Sequence, residues 1–71
     1  MIIENRINPH QEEHWYKNDK VHRDDGPAIV YSNTQIWYQN GKRHREDGPA
    51  YVGPGGLKYW YNNDKLVVLE T

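Results

Sequence analysis

The chain has 71 residues, enough for one small domain. Nine Lys plus Arg stand against ten Asp plus Glu, a net charge of −1 that disfavours a basic nucleic-acid clamp and an acidic mimic of DNA. The absence of cysteine excludes disulfides, zinc thiolates and a thiol nucleophile. Leu, Ile and Val number only 13, a level at which disorder becomes a question, but three Trp, six Tyr and the small net charge argue for a folded chain that is short of aliphatic core. The most apolar stretch is Leu66-Val67-Val68-Leu69, far too short for a membrane-spanning helix, and no basic-then-apolar leader opens the chain. A soluble, intracellular protein is expected.

In chain order, residues 2–7 predict a first strand. Asn8-Pro9-His10-Gln11 then has the pattern of a helix start, with Asn as N-cap and Pro at the first helical position, which predicts a short helical turn over 9–14. From there an internal repeat organises the chain. Residues 15–28 read WYKNDKVHRDDGPA and residues 37–50 read WYQNGKRHREDGPA, identical at ten positions. A third copy, WYNNDKL, starts at Trp60 and breaks off.

The period, 22 then 23 residues between tryptophans, suits a pair of strands and not a pair of helices. Each copy places Asn before Asp or Gly: Asn18-Asp19, Asn40-Gly41 and Asn63-Asp64. A two-residue type I′ hairpin turn needs φ > 0 at both central positions, and these residues tolerate it. Pro27 and Pro49 cannot donate to a ladder, so a bend is expected at Gly26-Pro27 and Gly48-Pro49, where a positive φ would exclude a β-branched side chain. Gly53-Pro54-Gly55-Gly56 predicts a hairpin turn; it lacks the Lys-Ser/Thr and helix of a phosphate loop. The expected fold is all-β, an antiparallel meander in one domain. An N-terminal cap spans 1–13, repeat 1 spans 14–35, repeat 2 spans 36–58, and a truncated repeat with a C-terminal cap strand spans 59–71.

The string WYxNGKxHREDGPA resembles the MORN-variant repeats of bacterial and phage proteins, some of them described as antitoxin-like. The resemblance covers residues 14–66, with departures: two full units only, and Asp19 and Asp64 in place of the turn glycine. It implies β-hairpin repeats and a role in binding rather than catalysis. By analogy with such proteins, the chain would be a small phage or bacterial inhibitor, anti-defence or antitoxin-like, in the cytoplasm of the bacterial host.

His22-Arg23 with Asp25, and His44-Arg45 with Asp47, contain residue types that bind metals or move protons. A catalytic site duplicated with the fold unit is implausible, so a local Arg–Asp pair and a turn cap are expected instead, with no metal, no cofactor and no enzymatic activity. His10 and His14 would share a helix face only if the turn over 9–14 forms. On a strand, Trp15, Trp37 and Trp60 fall on one side and Tyr16, Tyr38 and Tyr61 on the other, joined by His14, Ile36 and Tyr59. One row should be core. The other serves either as a binding face or as structural stacking only. Tyr16, Tyr38, Tyr59 and Tyr61 with Arg43 and Arg45 are the candidate contact residues for a bacterial protein partner. The rival use is base stacking in a nucleic-acid or nucleotide binder, which the charge balance disfavours. The C-terminal strand, 65–70, is expected at a sheet edge, where a homodimer could form.

Overall fold

The computed structural model describes the backbone of residues 3–70 and the side chains of residues 3–67. In chain order the strands are β1 (Glu4–Ile7), β2 (Glu13–Lys17), β3 (Lys20–Val21), β4 (Ile29–Val30), β5 (Gln35–Ile36), β6 (Tyr38–Gln39), β7 (Lys42–Arg43), β8 (Tyr51–Val52), β9 (Lys58–Asn62) and β10 (Lys65–Glu70). Strands β1, β2, β4, β5, β8, β9 and β10 form one sheet path in that order, every neighbour antiparallel. Strand β3 pairs with the far half of β2, and β6 with β7 forms a separate two-stranded ladder. The fold is therefore the all-β antiparallel meander that the repeat implied.

The three hairpin turns form as the Asn-Asp and Asn-Gly pairs require. Asn18 and Asp19 have φ of 52° and 61°, Asn40 and Gly41 of 52° and 80°, and Asn63 and Asp64 of 49° and 69°. The tryptophan of each complete unit is a branch point. Before it, the strand pairs with the sheet; after it, the strand pairs with its own return arm. Trp15 donates its N–H to the Ala28 carbonyl at 2.8 Å and accepts the His22 N–H at 2.9 Å. Trp37 repeats this with Ala50 at 2.7 Å and His44 at 3.0 Å. The intervening HRxDGP loop thus leaves and rejoins the ladder at one residue without orphaning either backbone group. In the truncated unit Val67 stands where those units carry histidine. There the chain does not leave the ladder: β10 runs on along β9, with a bulge between Leu66 and Val68.

Successive hairpins also dock on one another. The Gly41 N–H donates to the Val21 carbonyl at 2.8 Å, and the Asp64 N–H to the Arg43 carbonyl at 2.9 Å. Each turn is thereby seated on the return arm of the preceding unit, which is the nearest-neighbour coupling of a repeat protein. Burial is thin. Ala28 and Ala50 are fully buried, Ile29 and Ile36 nearly so, and His22, at 3% exposure, is the single buried polar residue among those described. With a least dimension of 16 Å the molecule is one main sheet with loops and a two-stranded ladder beside it, not a sandwich of two large sheets.

Two expectations fail here. No helical turn forms over 9–14. The Asn8 carboxamide does cap, accepting the N–H of His10 at 2.9 Å and of Glu12 at 3.1 Å. Gln11, however, takes φ of 65°, and the chain turns back so that Ile7 pairs with Glu13. Pairing of β1 with β2 outweighs the local helix signal, and His10 and His14 share no helix face. The helical turn that does form is 3-10, at Pro54–Gly56, inside the loop expected to close a hairpin. Nor is φ positive at Gly26 or Gly48; among the described glycines it is positive at Gly41, Gly55 and Gly56. The reason for glycine before Pro27 and Pro49 is steric: a Cβ would lie 3.1 Å and 2.9 Å from the guanidinium carbons of Arg23 and Arg45. The predicted first strand is observed over Glu4–Ile7; Met1 and Ile2 lie outside the described residues.

Candidate functional site

Residues directly opposed in a ladder share a face, so the register sorts the side chains. One row of cross-strand partners runs Arg6, His14, Ile29, Ile36, Tyr51, Tyr59 from the β1 edge to β9, and meets the far edge at position 69 of β10. Tyr16 and Tyr61 flank it on the same face. Trp15 and Trp60, one residue out of phase, lie on the other.

On the tryptophan face the repeat's own loops close over Trp15 and Trp37; the truncated unit has no such loop to bring to Trp60. Arg23 places its guanidinium 4.0 Å above the Trp15 ring, bonds Asp25 through Nε at 2.9 Å and reaches the Pro27 carbonyl at 3.2 Å. Arg45 does the same over Trp37 at 4.0 Å, with Asp47 at 3.1 Å and Pro49 at 3.2 Å. The Arg-x-Asp-Gly-Pro segment is therefore a lid clamped on an indole by a cation–π contact and a charged hydrogen bond. An open groove is lined by residues of both lids, with Pro27, Trp37, Asp24 and Glu46 among its lining residues. Among the described residues no group of three or more His, Asp or Glu is placed to hold a metal ion.

The tyrosine face has no lid. His14 stacks on Tyr16 at 6.3 Å between centroids and meets Tyr31 edge-on at 6.4 Å. Tyr51 packs edge-to-face on Tyr59 at 5.2 Å, and Tyr59 leans on Tyr61 at 6.2 Å. A guanidinium sits on each end: Arg6 lies 4.4 Å over Tyr16 and Arg43 lies 4.2 Å over Tyr61. The phenol rings are half-buried by one another, and Tyr31 is exposed. Tyr38 pairs with Arg43 in the β6–β7 ladder, and burial pushes its hydroxyl above the usual tyrosine range.

Of the residues expected to make partner contacts, Tyr16, Tyr59, Tyr61 and Arg43 share this face, and Tyr38 stands beside Arg43. Arg45 is on the opposite side, committed to Trp37 and Asp47. Tyr51, Tyr31 and Arg6 belong to the face and were not singled out by the repeat. Tyr51 occupies the position that Ile29 holds in the first unit, so the repeat pattern marks it as aliphatic core; only cross-strand register with Tyr59 reveals it.

Two exposed carboxylates are held below their ordinary range, and the first of them, Asp64, ties one unit to the next. Asp64 accepts both the backbone N–H and the Nε of Arg43 at 2.9 Å, and the Arg43 side chain, foremost, holds its carboxyl below the ordinary range. Asp24 is likewise lowered, chiefly by the hydrogen bond from the His22 ring. A carboxylate lowered on folding stabilises above its unfolded pKa, and that contribution is lost as pH falls through the folded value. Asp64→Asn is therefore expected to flatten the acid limb of the thermal midpoint below about pH 5. High salt should shrink the difference, because the pair is exposed. An unchanged acid limb in Asp64→Asn would show that the pair does not couple the units.

Comparison with known protein families, curated proteins and solved structures gives no match to the chain. Among the described residues no helix is long and apolar enough to cross a membrane.

Proposed function

We propose that the chain is a non-enzymatic protein-binding module that presents its tyrosine face to a partner. One observation carries this: the Arg-x-Asp-Gly-Pro loops cover Trp15 and Trp37, whereas no such loop lies on the tyrosine face, where Tyr16 and Tyr61 each carry a single guanidinium and Tyr31, Tyr51 and Tyr59 carry none among the described residues. Tyrosines held by neighbouring rings are pre-ordered, so a partner gains their area at little entropic cost. The repeat's resemblance to MORN-variant proteins supports a finer form, a small phage or bacterial inhibitor, anti-defence or antitoxin-like, acting in the bacterial cytoplasm.

The rival, a nucleic-acid or nucleotide binder stacking bases on the same rings, is weakened by Arg43, whose guanidinium is already held by Asp64. Immobilised chain, exposed to bacterial lysate at low and moderate salt, separates the two. A protein held by aromatic burial should stay on the resin at moderate salt, whereas nucleic acid should be released steeply. Tyr59→Ala should weaken retention of that protein about thirtyfold, the effect of losing a central anchor worth ~2 kcal/mol, while far-UV spectra show the sheet intact. Retention lost equally in Trp37→Ala and Tyr59→Ala, in proportion to unfolding, would reject the tyrosine face.

A further inference from the structure

The sheet is open, and its two edges differ. Strand β1 is four residues long, three of them polar, with one exposed aliphatic, Ile7, at 59%; β10 is six residues long and carries two adjacent ones, Leu66 and Val67, at 53% and 62% exposure. Among the described residues β10 pairs with β9 alone, so one row of its backbone N–H and C=O groups has no strand beside it. We propose that this edge pairs with the same edge of a second copy of the chain, in a two-fold antiparallel dimer centred between Val67 and Val68. The inference is independent of the tyrosine face, since it uses the strand edge and not the rings.

Register supports that centre. Read against its own reverse, the segment Lys65-Leu66-Val67-Val68-Leu69-Glu70 is complementary at every position. Lysine falls opposite glutamate, leucine opposite leucine and valine opposite valine, so each copy contributes one cation and one anion to the rim. A regular strand could not adopt this register. Opposed residues must share a face, and in a regular strand positions 65 and 70 lie on opposite faces. The bulge removes the conflict. Lys65 is opposite Asn62 and Glu70 is opposite Lys58, two positions of β9 on one face. Leu66 is opposite Tyr61 and Leu69 is opposite Tyr59, both on the other face. Positions 65 and 70 thus share one face, and 66 and 69 share the other, as the symmetric pairing requires.

Strand direction excludes the open-ended alternative. The sheet path holds an odd number of strands, all antiparallel to their neighbours, so β1 and β10 run the same way. A copy shifted along the sheet would bring β1 to β10 as a parallel pair over four residues at most. A two-fold copy brings β10 to β10 antiparallel over six. An edge contact of this size buries less than a standard interface, so a dissociation constant on the order of micromolar is expected.

Sedimentation equilibrium of the full chain across the micromolar range tests the proposal, with thermal melts confirming that each variant folds. The parent should approach twice its 8.5 kDa mass. Lys65→Glu and Glu70→Lys should each raise the dissociation constant roughly tenfold, by setting like charges opposite one another at both ends. An equimolar mixture of these two variants should recover the parent value, and so should the double variant Lys65→Glu/Glu70→Lys. A parent that stays monomeric would overturn the proposal, as would single variants that dimerise like the parent. A dimer lost in Asn5→Pro but kept in Lys65→Glu would place the contact at β1 instead. Neither result bears on retention of a partner by the tyrosine face.

Discussion

Gly48→Val is expected to lower the thermal midpoint by roughly 10 °C, the equivalent of ~2 kcal/mol in a domain of this size. A Cβ at residue 48 would stand 2.9 Å from Cζ of Arg45, 3.1 Å from Nη1 and 3.2 Å from Nε. The end of a free arginine would swing away at little cost. This one is pinned on three sides, by the Trp37 ring, the Asp47 carboxylate and the Pro49 carbonyl, and moving it gives up a cation–π contact and a charged hydrogen bond together. It also uncovers Trp37, beside which Ala50 is fully buried. Gly26→Val should cost less, because the equivalent approach to Arg23 is 3.1 Å. A double-mutant cycle isolates the cause: in an Arg45→Ala background most of the penalty of Gly48→Val should disappear. An equal penalty in both backgrounds would place the requirement for glycine in the backbone rather than in the arginine.

That steric role was not visible in the chain order, whereas the framework around it was. The duplicated WYxN and HRxDGPA strings, with Asn before Asp or Gly, specify hairpins and loops by local chemistry alone, and the two-residue alternation separates the Trp and Tyr rows without any tertiary knowledge. Features that depend on what a distant segment supplies were less legible. Asn8-Pro9 is a good helix opening, and its carboxamide does cap, but β1 is there to be paired and the chain turns at Gln11. The counterpart of Tyr51 in the first unit is Ile29, so nothing local announces the ring cluster it completes with Tyr59. The histidines were the hardest to place. Beside arginine and aspartate they have the composition of a ligand set, and their task becomes apparent only when register carries the next turn to them.

Removal of His22 is expected to be the costlier of the two histidine losses. His22 is buried, and its ring spans two units: Nδ1 accepts the Asn40 N–H at 3.0 Å, eighteen residues on, while Nε2 donates to Asp24 at 2.8 Å. An acceptor at Nδ1 and a donor at Nε2 define the neutral Nε2–H tautomer. His44 repeats the arrangement more loosely, at 3.2 Å to the Asn63 N–H and 3.5 Å to Glu46. In His22→Ala the Asn40 N–H loses its partner and a cavity opens where the buried ring stood, so a loss of ~2–3 kcal/mol is expected, against ~1 kcal/mol for His44→Ala. His22→Asn should recover part of it, because a carboxamide oxygen can stand near Nδ1 but supplies nothing toward Asp24. Native-state hydrogen exchange at the Asn40 amide reads the clasp directly: protection should fall in His22→Ala, stay intermediate in His22→Asn and be unaffected by His44→Ala. If His22→Ala and His44→Ala destabilised equally and left the Asn40 amide protected, the hairpin would be held by the Gly41-to-Val21 and Arg23-to-Tyr38 backbone bonds and the Gln39 carboxamide, and the histidine would only fill space.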